Sequence, residues 1–351
     1  MKKYAFLICL FLLACDFFNT EFEDSEDAVL YEAGSKTAAT QGPAALKVMN
    51  WNVKFGGARI DFFFDCHGDR VLMSESEVIE NTDNIIDRIN LENPDILIVQ
   101  EIDTNSKRTA YVDQVEQILN NTQFNYAAYA SQWKADYIPS DGIGRVNSGN
   151  AVFSRWPFLS AERIQLPLRT DQSSLDLYFY LKRNILKTKI DLGAGKNVYV
   201  VASHTSAYST DGTKKNQIDI FKDELDKINN LSENLIAAAD LNTIPPGSAK
   251  LSDFPDSVCT EEFLADDYTD EVKWLDDLYA AYTPAISLTD YGTTELQNQS
   301  YYTHTTDKNG FWNRKLDYIF TNMTLSGPGS VLQDTMSLSD HAPVMVTITV
   351  P

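Results

Sequence analysis

The chain has 351 residues, 43% of them hydrophobic and 23% charged, and a formal net charge of -21. That length and apolar content suffice for a sizeable core, and mixed α/β enzymes of this size commonly form one domain. The charge argues against tight, charge-driven binding to a polyanion, because Lys and Arg contacts to phosphate supply most non-specific nucleic-acid affinity. A substrate with few phosphates fits better, although the same acidity also serves to keep an exported surface soluble.

The amino-terminal residues read as an address. Lys2 and Lys3 form a basic start, Tyr4 to Leu13 is an apolar run too short to span a bilayer, and Leu12-Leu13-Ala14-Cys15 resembles a bacterial lipobox. Cleavage before Cys15 and lipidation of Cys15 are the expectation, with an ordinary secretory signal as the alternative. The predicted location is the cell envelope of a bacterium, at the outer membrane or the cell surface, with the membrane held through Cys15. From Asp16 to about Pro43 the chain is acidic, with Glu21, Glu23, Asp24, Glu26 and Asp27 close together, and it reads as a flexible tether. The predicted organisation is therefore a leader over 1–15, a tether over 16–43 and a folded domain over 44–351. An exported location would permit a disulfide between Cys66 and Cys259, whose separation the sequence does not supply.

Within the folded part strands and helices alternate. Leu46 to Asn52 suits a strand, and Val78, Ile85, Ile86 and Ile89 recur at helical spacing. Asp95 to Val99 follows the breaker Pro94 as a buried strand, and Val112, Val115, Ile118 and Leu119 mark a second helix. Further strands are predicted at Ala151 to Phe153, Leu175 to Leu181, Ile185 to Ile190 and Val198 to Ala202, then a helix carrying Ile218, Phe221, Leu225 and Ile228. Leu235 to Ala239, Leu316 to Phe320 and Val344 to Val350 complete the strands. Strands joined by both helices and short turns point to a mixed-sheet α/β domain.

The polar motifs share one position, at or just beyond the carboxyl end of an apolar strand, where a sheet gathers distant residues into one site. They are Met49-Asn50-Trp51-Asn52-Val53, Gln100-Glu101, Ser203-His204-Thr205, Asp240-Leu241-Asn242, Leu316-Asp317-Tyr318-Ile319 and Ser339-Asp340-His341-Ala342-Pro343-Val344. Phosphate ester hydrolysis needs charge neutralised on phosphoryl oxygens, a water aimed in line and the leaving oxygen stabilised. Carboxylates, amides and histidines cover those roles. Taken singly the motifs admit blander readings: Gln100-Glu101 as a solvated strand end, Asn242 as a turn before Pro245-Pro246, a buried histidine as part of the core. A carboxylate on an imidazole fixes its tautomer and raises its basicity, which suits Asp317 with His341, and Asp240 and Asn242 share a face if their segment is extended.

Together these motifs resemble the endonuclease/exonuclease/phosphatase superfamily of metal-dependent phosphoesterases, over about Leu46 to Pro351. The resemblance implies a four-layer sandwich, two mixed β-sheets face to face with helices outside. It implies that Glu101 and Asn52 hold a metal ion, Mg²⁺ or alternatively Mn²⁺, with Asp340 contributing directly or through water. It implies that Asp317 orients His341, that Asp240 and Asn242 aim the water and contact phosphate, and that His204 meets the scissile phosphate or leaving oxygen. Ala239 and Leu241 stand where the family has Gly and an aromatic residue, and Thr205 and Ser206 where many relatives have Leu. Ser148 to Pro157 also matches, with Asn150 near phosphate, and His304 and Arg183 are candidate pocket residues. Arg59 to Ser76 and Pro246 to Gln299 match poorly and read as insertions whose aromatics pack locally. The expected function is Mg²⁺-dependent hydrolysis of a phosphate ester, a phosphodiester first, by a monomer. The alternatives are a nuclease acting on DNA or RNA, a sphingomyelinase-like or phosphoinositide phosphatase-like enzyme, and a non-catalytic surface binding lipoprotein.

Overall fold

The structure is a computed structural model that describes residues 16–65, 68–207, 209, 211–254 and 267–351. The leader with Cys15, and Cys66, His67 and Cys259, lie outside the described residues. In chain order the strands are β1 (Ser25–Asp27), β2 (Val29–Glu32), β3 (Ala45–Asn52), β4 (Ile96–Asp103), β5 (Tyr126–Ile138), β6 (Gly144–Ser154), β7 (Phe158–Gln165), β8 (Asn184–Gly193), β9 (Lys196–His204), β10 (Leu235–Asp240), β11 (Thr283–Pro284), β12 (Asp317–Thr321), β13 (Ser330–Val331) and β14 (Val344–Thr349). They form two 7-stranded sheets, β1-β7-β8-β9-β10-β12-β11 and β13-β14-β3-β4-β6-β5-β2. Each sheet is mixed: β3 runs parallel to β4 and β9 parallel to β10, and the other pairs are antiparallel.

Alternation along the strands decides the layers, because successive side chains point to opposite faces. Leu46, Val48, Ile96, Ile98 and Val346 of the second sheet meet Leu186, Val198, Val200, Ile236 and Ile319 of the first in one buried cluster between the sheets. The intervening residues face outward onto helices. Met49, Trp51, Leu97 and Val99 pack against Ile85 and Ile89 of α1 (Glu75–Glu92) and Val115 and Leu119 of α2 (Gln114–Asn121). On the other side Val201, Leu235, Ala237 and Phe320 pack against Ile218, Phe221 and Leu225 of the long helix Thr213–Asn230. The four-layer sandwich expected from the motifs is the fold observed. No helix among the described residues is long and apolar enough to cross a membrane.

Three expectations change. Leu175 to Leu181 is not a strand: Ser173 caps a short helix α3 (Ser174–Phe179) by accepting from the Asp176 N–H, and a local cap outweighs apolar content that finds no sheet partner. The long strand β5 and the strand β7 were not anticipated, because small and polar residues interrupt their apolar pattern. The acidic segment 16–43 is not a free tether. Ser25 to Asp27 pair with Glu162 to Ile164, and Val29 to Glu32 pair with Tyr126 to Tyr129, so the segment adds an edge strand to each sheet. Unpaired backbone groups on a sheet edge recruit such strands whatever their charge; the long helix Thr213–Asn230 is α4.

Ile98, fully buried between the sheets, tests the layering. Ile98→Ala is expected to lower the unfolding free energy by about 2–5 kcal/mol, read from the urea midpoint at unchanged m-value.

Candidate active site

The register of the first sheet sets three polar residues side by side: Asp240 at the end of β10 lies opposite His204 of β9 and Asp317 of β12. From the second sheet, Asn52 ends β3, and a register shift in β4 between Val99 and Ile102 breaks the alternation at Gln100-Glu101. Glu101 takes a positive φ of 54° there. A bulge re-aims one side chain out of a ladder, and a non-glycine residue holds that conformation only where its surroundings enforce it. The result leaves Gln100 buried, its amide donating to Asn50 Oδ1 at 2.9 Å, while the Glu101 side chain remains 28% exposed. Asn50 in turn donates to the Ala239 carbonyl at 3.4 Å, which stitches the two sheets together just behind the site.

The structure brings Asn52, Glu101, His204, Asp240, Asp317 and His341 to one place. The Asn52 amide nitrogen donates to Glu101 Oε1 at 3.2 Å and to Asp240 Oδ2 at 3.0 Å. His204 Nε2 stands 3.4 Å from Asp240 Oδ2, and its Nδ1 stands 3.8 Å from Glu101 Oε1. His341 Nδ1 meets Asp317 Oδ2 at 2.8 Å, leaving Nε2 at 3.6 Å from Asp240 Oδ2. The backbone at this histidine is anchored too, since the Trp51 indole donates to the His341 carbonyl at 2.9 Å.

Burial and charge then set the protonation states. Burial alone would make His341 less basic, but the Asp317 and Asp240 carboxylates reverse this and hold it well above its ordinary range. Burial pushes Asp240 up, against the pull of His341 and with the push of Asp317. His204 is driven well below its ordinary range by burial and by the nearby Arg183 guanidinium and His341. Burial, then His341 and Arg314, does the same to His304. The site therefore pairs one imidazolium with two neutral imidazoles.

One expectation about a single residue changes. Asn242 does not extend β10: it sits at a φ of 47° just past the strand. Its N–H donates to Asp240 Oδ1 at 3.0 Å and its amide to the Thr205 carbonyl at 3.0 Å, so it holds the Asp240 carboxylate and the His204 loop rather than sharing a face with Asp240. Asp340 is turned toward a cation already in the chain. Lys54 Nζ lies 3.4 Å from Asp340 Oδ2 and 2.8 Å from Asp65 Oδ2. Burial would lower the Lys54 ammonium, but Asp340 and Asp65 outweigh it, while Asp340, which burial would raise, is held well below its usual range chiefly by Lys54. Lys54 and Asp65 belong to the site although no motif singles them out. The available signal was a lysine directly after Trp51-Asn52-Val53, inside a motif otherwise made of acceptors and apolar residues.

The remaining candidates fall around this centre. The His304 ring lies 4.3 Å from that of His341. Arg183 is buried and donates to Gln132 Oε1 at 3.2 Å. Asn150 donates to Asn184 Oδ1 at 3.2 Å. Ala239 and Leu241 belong to the outer cluster with α4, so the methyl group at the family's glycine position points away from the cleft. Thr205 and Ser206 are tied down by hydrogen bonds from Thr205 Oγ1 to the Leu241 carbonyl and from the Ser206 N–H to Gln217 Oε1, at 2.6 and 2.8 Å.

The fit to a divalent cation rests on the donor set. Glu101 and Asp240 offer hard oxygen ligands linked through one amide, the kind of donors that Mg²⁺ accepts in small number. Asn52 faces them with its nitrogen, and its Oδ1 accepts from the Lys54 N–H at 3.0 Å, so ligation by Asn52 requires its amide to turn over. His304, Asp340 and His341, and Asp240, Asp317 and His341, also each bring ligand atoms within 4.8 Å of one another.

The fold and this convergence of carboxylates and imidazoles define a phosphoesterase sandwich, and comparison with known proteins agrees. The model of the Endonuclease/Exonuclease/phosphatase family matches residues 49–341, and the chain belongs to that family, whose members are hydrolases acting on phosphate esters. No curated protein matches the chain significantly. Among solved structures, an endonuclease/exonuclease/phosphatase from Beutenbergia cavernae is 18% identical, with a TM-score of 0.58 over 88% of this chain and 72% of that one. An endonuclease/exonuclease/phosphatase from Bacteroides vulgatus is 12% identical, with a TM-score of 0.54 over 88% and 100%. The human Nocturnin catalytic domain, solved with bound sulfate, is 16% identical, with a TM-score of 0.53 over 92% and 98%. At these identities the likeness concerns the fold.

Nitrogen-detected NMR of the metal-free chain checks the protonation pattern. His341 is expected to stay an imidazolium at about pH 8, above the ordinary histidine value of ~6.5, while His204 and His304 stay neutral at about pH 6. A neutral His341 at about pH 7 would contradict its placement between Asp317 and Asp240.

Proposed function

We propose that the protein is a Mg²⁺-dependent hydrolase of phosphate esters, with a phosphodiester as its leading substrate. The observation that carries this reading is the line Asp317, His341, Asp240, which spans both sheets with bond and contact distances of 2.8 and 3.6 Å. A purely binding site has no need of an imidazole oriented by one buried carboxylate and aimed at another. Asp317 fixes the ring through Nδ1, so Nε2 presents its proton toward the position a phosphoryl oxygen would take beside Asp240. Asp240 is placed to accept a proton from a water as that water attacks phosphorus and the ester P–O bond breaks. His204, neutral and with Nδ1 unpartnered, is placed to donate to phosphate or to the departing oxygen. Asn242 holds the Asp240 carboxylate in place. Bound by Glu101 and Asp240, with Asn52 once its amide has turned, Mg²⁺ would neutralise charge on the phosphoryl group.

The net charge of -21 supports a substrate with few phosphates over a long polyanion. The leader sequence supports export and lipidation at Cys15, which would place this activity at a bacterial membrane surface.

With a chromogenic phosphodiester, His341→Ala, assayed in protein that circular dichroism shows to be folded, is expected to lower turnover by about two orders of magnitude or more. Glu101→Ala is expected to raise the Mg²⁺ concentration needed for half-maximal rate, and EDTA to abolish the rate. Turnover close to wild type in His341→Ala at saturating Mg²⁺ would overturn the site assignment. In cells, Cys15→Ala is expected to lose the lipid label and shift the chain from membrane to soluble fractions, and unchanged palmitate incorporation would contradict lipidation.

A further inference from the structure

The first described residues are bound to the domain at the end of the sheets that carries the site. The Tyr178 hydroxyl donates to Asp16 Oδ1 at 2.7 Å and accepts from the Phe18 N–H at 3.2 Å. The Asp136 N–H donates to the Phe18 carbonyl at 2.7 Å, and the Phe18 ring packs on Tyr137 and Phe179 with centroids 6.4 and 5.7 Å away. Around this dock stand three apolar side chains in water: Phe17 is 69% exposed, Tyr137 53% and Leu175 69%. Leu175 lies one helical turn before Phe179 on α3, so it shares the face that meets Phe18.

Strand register locates this patch relative to the site. Asp103 of β4 pairs with Ser148, and Ser148 pairs with Trp133 of β5. Both β4 and β5 are antiparallel to β6, so β5 leaves the sheet in the direction in which β4 delivers Glu101. Asp136 and Tyr137 follow Trp133 by three and four residues, roughly 10–14 Å farther out at ~3.4 Å per residue. The other wall is tied to the same strand. The Lys182 N–H donates to the Gln132 carbonyl at 2.5 Å, and the adjacent Arg183 donates to the Gln132 side chain at 3.2 Å, near enough to Glu101 and Asp240 for their charges to act on it.

Upstream, Cys15 directly precedes Asp16, and the apolar run Tyr4 to Leu13 lies just before it. Adjacent Cα atoms are ~3.8 Å apart, so a lipid carried on Cys15 forces Asp16 to the depth of the headgroups. With Asp16 docked, no slack remains to lift the domain away. Tyr and Phe suit that interface, where an apolar ring can bury while its surroundings stay wet.

Building on the reading of Cys15 as a lipid anchor, we infer that the domain sits with its site end face-on to a lipid bilayer, with Phe17, Tyr137 and Leu175 as the contact patch. The site then opens toward phosphate esters displayed on that surface, such as lipid headgroups, and a long soluble polymer has to enter from the side.

The test uses the full chain, expressed with its leader in a lipid-modifying bacterial host and reconstituted into phosphatidylcholine vesicles with or without brominated acyl chains. Leu175→Trp and Leu91→Trp are each compared with wild type to subtract the native tryptophans. Leu91 is 74% exposed at the end of α1 that feeds the start of β4, opposite the site. The fluorescence added at position 175 is expected to be largely lost in brominated vesicles, with that at 91 unchanged. Vesicle-bound protein with position 175 unquenched, or with 175 and 91 quenched alike, overturns the face-on placement while leaving the anchor intact. Protein that does not float with vesicles overturns the anchor itself, and the face-on placement with it. Hydrolysis of a soluble phosphodiester in the same samples reports separately on the catalytic reading.

Discussion

The structure is governed by the need to bury several carboxylates in one small volume. Asp240, Asp317 and Asp340 are all buried at the strand ends, and an uncompensated carboxylate there would cost several kcal/mol. The compensation comes largely from across the sandwich. Asp240 and Asp317 belong to the first sheet, whereas His341 precedes β14 of the second sheet and stands between them. Within the second sheet, where β3 and β14 are neighbours, Lys54 just beyond β3 compensates Asp65 and Asp340. A slip of one sheet against the other would separate His341 from Asp240 and Asp317, so this charge pairing fixes the alignment of two layers whose apolar contact is otherwise tolerant of sliding. The bond from Asn50 to the Ala239 carbonyl reinforces that alignment.

Backbone strain collects at the same place. Lys54, Phe55, Glu101 and Asn242 all have positive φ, at 45, 44, 54 and 47°. Glycine would adopt these conformations more easily, but glycine has no carboxylate, amide or ammonium to contribute. The strain is thus sustained by the surrounding packing: Phe55 sits in a cluster with Phe62, Met73 and Val78, and Asn242 is held by two hydrogen bonds. The insertion that matches the family poorly, from Arg59 onward, takes part in this support, because Arg59 donates to the Thr305 carbonyl and to that of Ser339, the first residue of the closing motif.

Much of this was legible in the sequence because the strands that build the site are buried on both faces and read as uninterrupted apolar runs. Leu235 to Ala239 and Ile96 to Val99 announce themselves, and the polar residues that end them stand out. Strands β5 and β7 did not, because Gln132, Lys134 and Asp136 interrupt one and Glu162 and Arg163 the other. Those polar residues serve edge pairing and long-range contacts, Arg163 donating to the Ser131 and Lys182 carbonyls. Periodicity cannot register such contacts. The acidic amino-terminal stretch misled for the opposite reason: its composition resembles a solvated spacer, yet it is held by backbone pairing to both sheet edges and by distant side-chain partners such as Tyr178 for Asp16 and Asn125 for Thr37.

Within the site, motifs identified the participants but not their division of labour. Asp340 and Glu101 looked alike from sequence, each an acidic residue at a strand end. Structure separates them by what already stands beside each. Asp340 faces the fixed ammonium of Lys54, so its charge is largely answered within the chain. Glu101 and Asp240 are joined by the neutral Asn52 amide, and the guanidinium that senses both belongs to Arg183, which spends a hydrogen bond on Gln132. The charge still open to an incoming cation therefore lies first at Glu101, because Asp240 already shares its charge with the imidazole of His341 at 3.6 Å.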